Sequence, residues 1–454
     1  MISLRLSQLC LQLEAELFGE DRAFSSVSTD TRSIAPGDLF VALKGPKFDG
    51  HDYVQKAVDS GAAAVMVSNP APVGVAGLMV RDTRVGLGRL AKLWRELGHV
   101  QLIGVTGSNG KTTVKEMIAA ILCRRGRVLA TRGNYNNDVG LPLTLLRLQD
   151  EDFAVVEMGA NNPGEIAYLS SIATPDIALI TNAGRAHLEG FGTLEGVARA
   201  KSEILDGLKP GGCFILNADD PWADLWRQRV GTRRVKTFGM DNPADVTSPK
   251  SALKLQWNES GFVCRFPVST PNGGGEIRLR LAGNHNRMNA LAAIAAAQAA
   301  GAEWEDIAAG LAALEPVPGR LQPLPGRNGA GLINDSYNAN PDSVKAAIDL
   351  LASAPGRRYL VLGELAEMGA DAASFYREIG NYANNSGIDK VYTLNAAVEA
   401  VAMLGHKGER FTSLPQLIDR LGAELQPGDR VLVKGSRVAA MERVVAALGA
   451  GGGH

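Results

Sequence analysis

The sequence predicts an α/β protein of three domains: a small α/β domain at the N-terminus, a central domain on a mostly parallel sheet, and a C-terminal doubly wound, Rossmann-like domain. Short apolar runs alternate with segments of helical periodicity along most of the chain, which is typical of parallel strands covered by helices. Proline and glycine cluster at 316–319, which indicates a boundary before the last part of the chain. A chain of 454 residues is also too long for one hydrophobic core.

The composition excludes several classes of protein. Hydrophobic residues make up 45% and charged residues 21%, as in globular proteins. The formal net charge of −1 gives no indication of a nucleic-acid or membrane partner. No stretch approaches the ~20 apolar residues of a membrane-spanning helix, and Glu14 and Glu16 argue against a signal peptide. The four scattered cysteines predict reduced thiols in the core and a cytoplasmic location.

Residues 1–84 are predicted to form the first domain. Its expected elements, in chain order, are a helix over 1–19, a strand over 38–43, a helix near 52–60 and a strand over 62–67. A polar cluster, STDTRS at 28–33, precedes the first of these strands. Its residue types suit simple turn chemistry as well as a ligand site.

The second domain, predicted over 85–314, is organised around a glycine-rich turn at 107–110. A buried strand is predicted before this turn and an amphipathic helix after it. This arrangement predicts a P-loop, in which backbone N–H groups and the helix N-terminus surround phosphate, Lys111 reaches the terminal phosphates and Thr112 meets Mg²⁺. Val105 stands where the general pattern has its first glycine, so the flanking strand and helix carry the prediction. The alternative is a plain turn with an exposed lysine.

Polar residues end several predicted strands of this domain. The strands are expected at 101–106, 127–131, 153–157, 177–182, 213–217 and 235–238, with antiparallel strands at 253–257, 262–268 and 276–281. Ligands bind at the carboxyl edge of open parallel sheets. Glu157 at that edge suits a Mg²⁺ ligand, with a helix cap or structural ion pair as the alternative. His187 projects from the same edge and is predicted to contact metal or substrate.

Two further segments of the central domain leave alternatives open. Lys201 lies on an amphipathic helix, where its residue type alone favours an exposed position. Asn284, His285, Asn286 and Asn289 open an Ala-rich helix. They could cap that helix or hydrogen-bond the edge of a purine.

Residues 315–454 are predicted to form the third domain. Its elements are a strand at 331–335, a helix at 341–353, a strand at 358–363, a helix at 372–386, a strand at 390–394, a helix at 414–425, a strand at 429–434 and a helix at 437–448. Arg320 follows the linker and could fork onto phosphate, while Asp335 ends a strand. Lys434 and Arg437 flank a loop that would suit a carboxylate. Helix capping is the alternative for each of these polar loops.

A series of motifs resembles the Mur ligases of peptidoglycan synthesis: TGSNGKTT, VVEMGA, NAGRAHLEGFG, ARAKSEI, GNHNRMNALAA, PGRLQ, NDSYNANPDS and VKGSR. The resemblance covers the chain from STDTRS near 28 to VKGSR near 434. It implies a UDP-substrate domain, an ATPase domain and a C-terminal domain that closes over ATP and binds the second substrate. The string SYNANP at 336–341 favours the member that adds D-alanyl-D-alanine to UDP-MurNAc-tripeptide.

The resemblance also implies residue roles. ATP contacts are expected at Gly107, Ser108, Asn109, Gly110, Lys111, Thr112, Thr113, Asn284, His285, Asn286, Asn289, Arg320 and Asp335. Metal ligands are expected at Thr112, Glu157, His187 and Lys201, with Lys201 carbamylated by CO₂. Substrate contacts are expected at Ser28, Thr31, Arg32, Lys44, Asp49, Gly50, His51, Asn134, Asn136, Asn137, Tyr337, Asn338, Asn340, Lys434 and Ser436. The expected catalytic residues are Lys111, Lys201, His187 and Arg320.

The implied activity is ATP-dependent amide ligation through an acyl phosphate and a tetrahedral intermediate, with ATP and Mg²⁺ as cofactors. The expected partners are small molecules, with no nucleic acid and no membrane insertion, and the expected state is a monomer. Two alternatives stay open: another Mur-type or folylpolyglutamate-type ligase, and a non-catalytic nucleotide-binding scaffold.

Overall fold

The structure is a computed structural model that describes residues 2–70, 72, 74–185, 188–258, 261–366, 372–395 and 401–450. Across these residues the strands form sheets of five, ten and six strands in chain order, besides a two-stranded pair. Most strand pairs in the three large sheets are parallel, and helices pack against them, which confirms the α/β class.

The first sheet is parallel except at one edge. Its order is Glu16–Phe18, Gly77–Met79, Ala64–Val67, Asp38–Val41 and Ser26–Ser28, with Glu16–Phe18 antiparallel to its neighbour. A single turn of 3₁₀ helix, Gly50–Tyr53, and the helix Val54–Asp59 connect two of these strands.

The helix predicted over 1–19 is wrong. The chain instead forms the strand Leu4–Arg5 paired with Ala23–Phe24, the 3₁₀ turn Leu6–Leu9, the short helix Cys10–Leu13 and the strand Glu16–Phe18. Leu6, Leu9 and Leu13 are buried, which explains the helical periodicity. Glu14 has a φ of +51°, so the chain turns there into the sheet. Pairing with distant strands therefore overrides the local pattern.

The central sheet is the largest. Its order is Lys254–Asn258, Gly261–Thr270, Val246–Thr247, Arg234–Gly239, Cys213–Asn217, Ile177–Ile180, Gln101–Thr106, Phe153–Glu157 and Val128–Ala130, with Gly273–Leu279 paired to Gly261–Thr270. The late strands are antiparallel, as predicted. Its helices are Thr83–Leu97, Lys111–Leu122, Gly140–Leu145, Glu165–Ala173, Leu188–Phe191, Leu194–Ser202, Ala223–Val230, Asn284–Ala299 and Trp304–Ala313. The first of these begins just before the division predicted at 84/85, which therefore does not fall in a linker.

The third sheet has helices on both faces, as a doubly wound domain requires. Its order is Gln322–Pro325, Gly331–Asp335, Arg430–Lys434, Arg358–Leu362, Lys390–Leu394 and Gly408–Phe411, parallel except for the first strand. The helices Pro341–Ala352 and Ala372–Asn385 cover one face, and Leu414–Glu424 and Glu442–Leu448 cover the other. The two outer strands escaped prediction. The last helix begins later than predicted, because Ala440 has a φ of +48° that interrupts it.

Two further expectations can be compared with the structure. Cys213 and Cys264 are buried, but Cys123 is exposed just after the helix Lys111–Leu122, so its predicted core position is wrong. Among the helices of the described residues, none combines the length and apolar character that a membrane crossing demands.

Candidate active site

The glycine-rich turn joins the central strand Gln101–Thr106 to the helix Lys111–Leu122. Gly107 has a φ of +144° and Gly110 a φ of +82°, which side-chain-bearing residues rarely adopt. A Cβ on Gly107 would lie 1.9 Å from Thr181 Oγ1, and one on Gly110 would lie 2.4 Å from Asn289 Oδ1. The backbone therefore needs glycine at both positions, for conformation and for space.

The segment after the neighbouring strand supports this turn. Asn182 O accepts a hydrogen bond from Ser108 N at 3.0 Å, and Asn182 Oδ1 accepts one from Asn109 N at 3.0 Å. Gly184 N donates to Ser108 Oγ at 3.0 Å. Thr181 Oγ1 donates to Asn109 O at 2.6 Å. The residues that directly follow the strand Ile177–Ile180 therefore support one side of the turn through a series of hydrogen bonds.

Thr112 and Glu157 meet at the carboxyl edge of the sheet. Thr112 Oγ1 donates to Glu157 Oε2 at 2.7 Å, and Asn136 Nδ2 donates to Glu157 Oε1 at 2.8 Å. The Glu157 carboxylate is buried, and no cationic side chain of the described residues lies within ion-pair distance of it. A hydroxyl beside a carboxylate is a hard oxygen pair that suits Mg²⁺. Among the described residues, no three His, Cys, Asp or Glu side chains are arranged so that they could together hold a metal ion, and His187 lies outside those residues.

Lys111 and Arg320 bring positive charge to the same place. Lys111 Nζ donates to Gly107 O at 2.8 Å. Desolvation lowers the pKa of Lys111, Glu157 opposes that change, and Arg320 adds to it. Arg320 comes from the C-terminal domain, and its Nη2 donates to Thr112 Oγ1 at 2.9 Å. Its guanidinium lies 4.3 Å from the centre of the Tyr337 ring. This cation–π contact helps to fix the guanidinium beside Thr112.

Lys201 is almost fully buried, with 1% of its surface exposed. Its Nζ has no hydrogen-bond partner among the described residues and lies 5.2 Å from the centre of the Phe191 ring. Burial lowers the pKa of Lys201 to about 7, and Lys111 adds to this, while Glu203 and Glu165 oppose it. The exposed position favoured by residue type alone is therefore wrong.

The polar residues at 284–289 are mostly engaged with one another. Asn286 Nδ2 donates to Ala282 O at 2.9 Å, and Asn289 Nδ2 donates to Asn286 Oδ1 at 3.1 Å. Asn284 is exposed at the first helical position. Desolvation lowers the pKa of His285 to about 4, with a contribution from Lys434, so this imidazole is neutral near pH 7.

Asp335 and Lys434 form a buried ion pair at the C-terminal ends of two neighbouring strands of the third sheet. Lys434 Nζ lies 2.5 Å from Asp335 Oδ2 and also donates to Asn338 O at 3.0 Å. Asp335 Oδ1 accepts a hydrogen bond from Leu321 N at 3.1 Å. Ser436 Oγ is buried with no partner among the described residues.

The predicted substrate residues of the N-terminal domain form two local clusters. His51 Nδ1 bonds Asp49 Oδ1 at 2.6 Å, and His51 Nε2 accepts Ser68 N at 2.9 Å, so both ring nitrogens have protein partners. Lys44 Nζ lies 3.7 Å from Asp49 Oδ2. Gly50 is buried, and a Cβ there would lie 2.7 Å from Leu43 N.

The second cluster is centred on Asp30. Arg32 forks onto this carboxylate, with Nη2 at 2.6 Å from Oδ2, and lowers the pKa of Asp30 to about 2. Ser28 Oγ accepts a hydrogen bond from Asp30 N at 3.2 Å, and Thr31 is half-buried.

The two remaining predicted segments flank the loop. Asn134 is exposed, and Asn137 Oδ1 accepts Gly140 N at 2.8 Å, which anchors the next helix. Asn338 is exposed, while Asn340 Nδ2 donates to Asn109 Oδ1 at 2.7 Å, in the loop itself.

One contact at this interface was not predicted. Arg185 pairs with Asp342 at 2.7 Å and with Glu378 at 3.1 Å, joining the central and C-terminal domains. The signal in the sequence is an arginine a few residues after the strand Ile177–Ile180. It was not sufficient, because the partners Asp342 and Glu378 lie more than 150 residues further along the chain.

Three family models match successive parts of the chain. The Mur ligase middle domain matches residues 105–297, the Mur ligase glutamate ligase domain residues 319–437, and the Mur ligase family catalytic domain residues 23–95. The chain is 45% identical over 452 residues to UDP-N-acetylmuramoyl-tripeptide–D-alanyl-D-alanine ligase of Escherichia coli strain K12, covering 99% of each chain.

Solved structures give the same result. The structure of MurF from Acinetobacter baumannii is 34% identical with a TM-score of 0.91, and the match covers 99% of each chain. The structure of MurF ligase from Thermotoga maritima in complex with ADP is 30% identical with a TM-score of 0.83, covering 92% of this chain and 96% of that one. The chain belongs to the Mur ligase family.

Proposed function

We propose that this chain joins D-alanyl-D-alanine to UDP-MurNAc-tripeptide with consumption of ATP, giving UDP-MurNAc-pentapeptide for peptidoglycan synthesis. The observation that carries the proposal is the group of Lys111, Thr112, Glu157 and Arg320, assembled from two domains beside the buried amine of Lys201. The Escherichia coli relative is named for this reaction and is matched over 99% of its length. The Thermotoga maritima structure holds ADP, which supports ATP as the nucleotide.

The reaction divides into two displacements. A carboxylate oxygen of the tripeptide attacks the γ-phosphorus of ATP, and the bond from that phosphorus to the ADP oxygen breaks. The amine nitrogen of D-alanyl-D-alanine then attacks the acyl carbon and forms a tetrahedral intermediate. The bond from carbon to the phosphate oxygen breaks, phosphate leaves with its electron pair, and the departing phosphate takes up the proton that the amine loses. Positioning and charge neutralisation supply most of the catalysis in such transfers.

Each residue of the group has a task in this scheme. Lys111 exchanges its carbonyl partners for the β- and γ-phosphates when ATP binds, and the loop N–H groups hold the same phosphates. Arg320 approaches the transferring phosphoryl group and offsets its charge. Asp335 and Lys434 keep the strand ends of the C-terminal domain in place beneath Arg320.

The donor set fits Mg²⁺, and Thr112 Oγ1 and Glu157 would hold it. Bound there, the ion would neutralise phosphate charge. Lys201 suits a carbamate, because a neutral amine attacks CO₂ with loss of one proton, and its lowered pKa keeps much of the amine neutral near pH 7. Carbamylation would replace an amine that is partly protonated near pH 7 with an anion, which would remove the repulsion between protonated Lys201 and Lys111.

The remaining assignments follow from the domain arrangement. We propose that residues 1–84 bind the UDP moiety, residues 85–314 bind ATP, and residues 315–454 bind the dipeptide and close over ATP. Water must be excluded because an acyl phosphate hydrolyses readily, so closure has a chemical purpose. Arg320 and Asn340 reach the loop of the same chain, which supports a monomer as the working unit. The cytoplasm is its proposed location.

The test is phosphate release by the purified protein with ATP, Mg²⁺ and UDP-MurNAc-tripeptide. We expect release only when D-alanyl-D-alanine is added, with UDP-MurNAc-pentapeptide identified by mass spectrometry. Lys111→Ala is expected to abolish release. Absence of dipeptide-dependent phosphate from the wild-type protein, or release with folate and glutamate instead, would overturn the proposal.

A further inference from the structure

Arg185 links the segment that supports the P-loop to the C-terminal domain. It directly follows the segment Thr181–Gly184, whose hydrogen bonds hold Ser108 and Asn109. Its own backbone N–H donates to Asp342 Oδ2 at 3.2 Å, so main chain as well as side chain crosses between the domains. The contact is therefore tied rigidly to the backbone that shapes the loop.

The Arg185 guanidinium forks onto two carboxylates of the C-terminal domain. Nε and Nη2 donate to Asp342 Oδ1 at 3.1 and 2.7 Å. Nη1 and Nη2 donate to Glu378 Oε2 and Oε1 at 3.1 and 3.2 Å. Phe375 covers the guanidinium at 5.5 Å, and 28% of the arginine side chain is exposed. Forked, partly shielded pairs of this kind are stronger and more directional than single surface ion pairs.

The carboxylate side of this contact is also ordered. Asp342 lies in the first turn of the helix Pro341–Ala352, and Glu378 lies on the helix Ala372–Asn385. Lys345, one turn further along the first helix, pairs with Glu378 as well. Arg185 thus forms ion pairs with two adjacent helices of the C-terminal domain. Two attachment points restrict both the rotation of that domain and its distance from the central domain.

A second contact runs parallel to this one. Asn340 caps the helix Pro341–Ala352 by accepting Ser343 N at 2.9 Å, and its Nδ2 donates to Asn109 Oδ1 at 2.7 Å. The start of one C-terminal helix is therefore bonded to the P-loop and, through Asp342, to Arg185. Arg320 makes a separate contact, to Thr112 at the start of the helix that follows the loop.

We propose that Arg185 is a positioning residue of the ligase, which uses Asp342 and Glu378 to set the C-terminal domain so that Arg320 lies over the P-loop. The inference rests on the proposed function. Arg185 touches neither ATP nor substrate in this scheme. Loss of the Arg185 side chain would leave the hydrogen bonds of Asn182 and Gly184 to the P-loop intact. The orientation of the C-terminal domain, and with it the position of Arg320 relative to the P-loop, would however no longer be fixed.

The experiment compares Arg185→Ala, Arg185→Lys and a matched control, Arg265→Ala, which removes an exposed cross-strand pair with Glu276 far along the central sheet. We expect Arg185→Ala to lower kcat about tenfold, as loss of a charge-assisted contact implies. The Kd for ADP, measured by calorimetry on the free enzyme, should change less than about twofold, since the loop keeps its own support. Arg185→Lys should recover only part of kcat, because an ammonium cannot fork. Arg265→Ala should match the wild type.

A double-mutant cycle separates positioning from general damage. Glu378→Gln alone should lower kcat severalfold, and the double variant with Arg185→Ala should be no worse than Arg185→Ala. Thermal melting checks that each variant folds. Equal kcat for wild type and Arg185→Ala, fully multiplicative effects in the cycle, or a tenfold loss of ADP affinity would each overturn the inference. An inactive wild type would instead overturn the proposed function.

Discussion

Lys201 and Lys434 are both buried lysines close to the active site, but of these two only Lys434 has a carboxylate within ion-pair distance among the described residues. Lys434 pairs with Asp335 and Asn338 O, whereas the Nζ of Lys201 has neither a hydrogen bond nor an ion pair within the described residues. Burying an amine without a partner is costly, which marks such an amine as a candidate for a chemical role. The contrast separates a lysine that holds the structure together from one that is available to react.

The largest expected effect comes from removing the unpaired amine. Lys201→Ala should lower kcat by about 1,000-fold, or ~4 kcal/mol, because the carbamate proposed on this amine would offset the charge of Lys111 and of the Mg²⁺ proposed at Thr112 and Glu157. Small carboxylic acids added to the assay should restore part of the phosphate release. Lys209→Ala is the matched control, since Lys209 is partly exposed and pairs with Asp176. A fully active Lys201→Ala enzyme would contradict the carbamate.

The second effect is on stability and concerns the paired lysine. Lys434→Met should lower the free energy of unfolding by about 3–5 kcal/mol, because it leaves Asp335 buried and unpaired. Adding Asp335→Asn to the same chain should recover much of that loss, and urea denaturation measures both. Lys201→Met should by contrast change stability by no more than about 1 kcal/mol or increase it. Equal losses for the two Met variants would remove the distinction.

The third prediction concerns pH. The pKa of Lys201 is lowered to about 7 in the folded chain from the ordinary lysine value of 10.5, so between these values the unfolded chain binds more protons. The contribution of Lys201 to stability must then increase as pH rises from about 7 to 10. The free energy of unfolding of the wild type minus that of Lys201→Met should increase over this range in CO₂-free buffer. A flat difference would mean that Lys201 has a normal pKa.

The smallest effect should come from a neighbouring carboxylate. Glu203 raises the pKa of Lys201 and also accepts Gly164 N at 2.9 Å. Glu203→Gln keeps an acceptor for that N–H but removes the charge, so the pKa of Lys201 should fall slightly. The carbamate signal in ¹³C NMR under labelled CO₂ should then appear at slightly lower pH. Glu195→Gln, on an exposed pair with Arg199, should leave it unchanged, and a shift to higher pH would refute the assignment.

Much of the fold could be predicted because its signals are local. The strands at 101–106, 153–157 and 213–217 have the predicted bounds, since each is a continuous apolar run buried on both faces. The helix over 1–19 failed because Leu6, Leu9 and Leu13 mimic helical spacing while long-range pairing decides their structure. The strands Gln322–Pro325 and Gly408–Phe411 are edge strands, whose weaker patterns depend on the neighbour they pair with.

The sequence by itself determined the strand, the glycine turn and the helix that carry Lys111 and Thr112, because the signals for these three elements are local in the chain. Only the tertiary structure decided which charged residues have partners. Packing buries Lys201 away from solvent. It also places Lys434 beside Asp335 and Arg185 beside Asp342, because it brings together segments that lie far apart in the chain. Burial and distance set the pKa and the strength of each pair, and neither quantity is local in sequence.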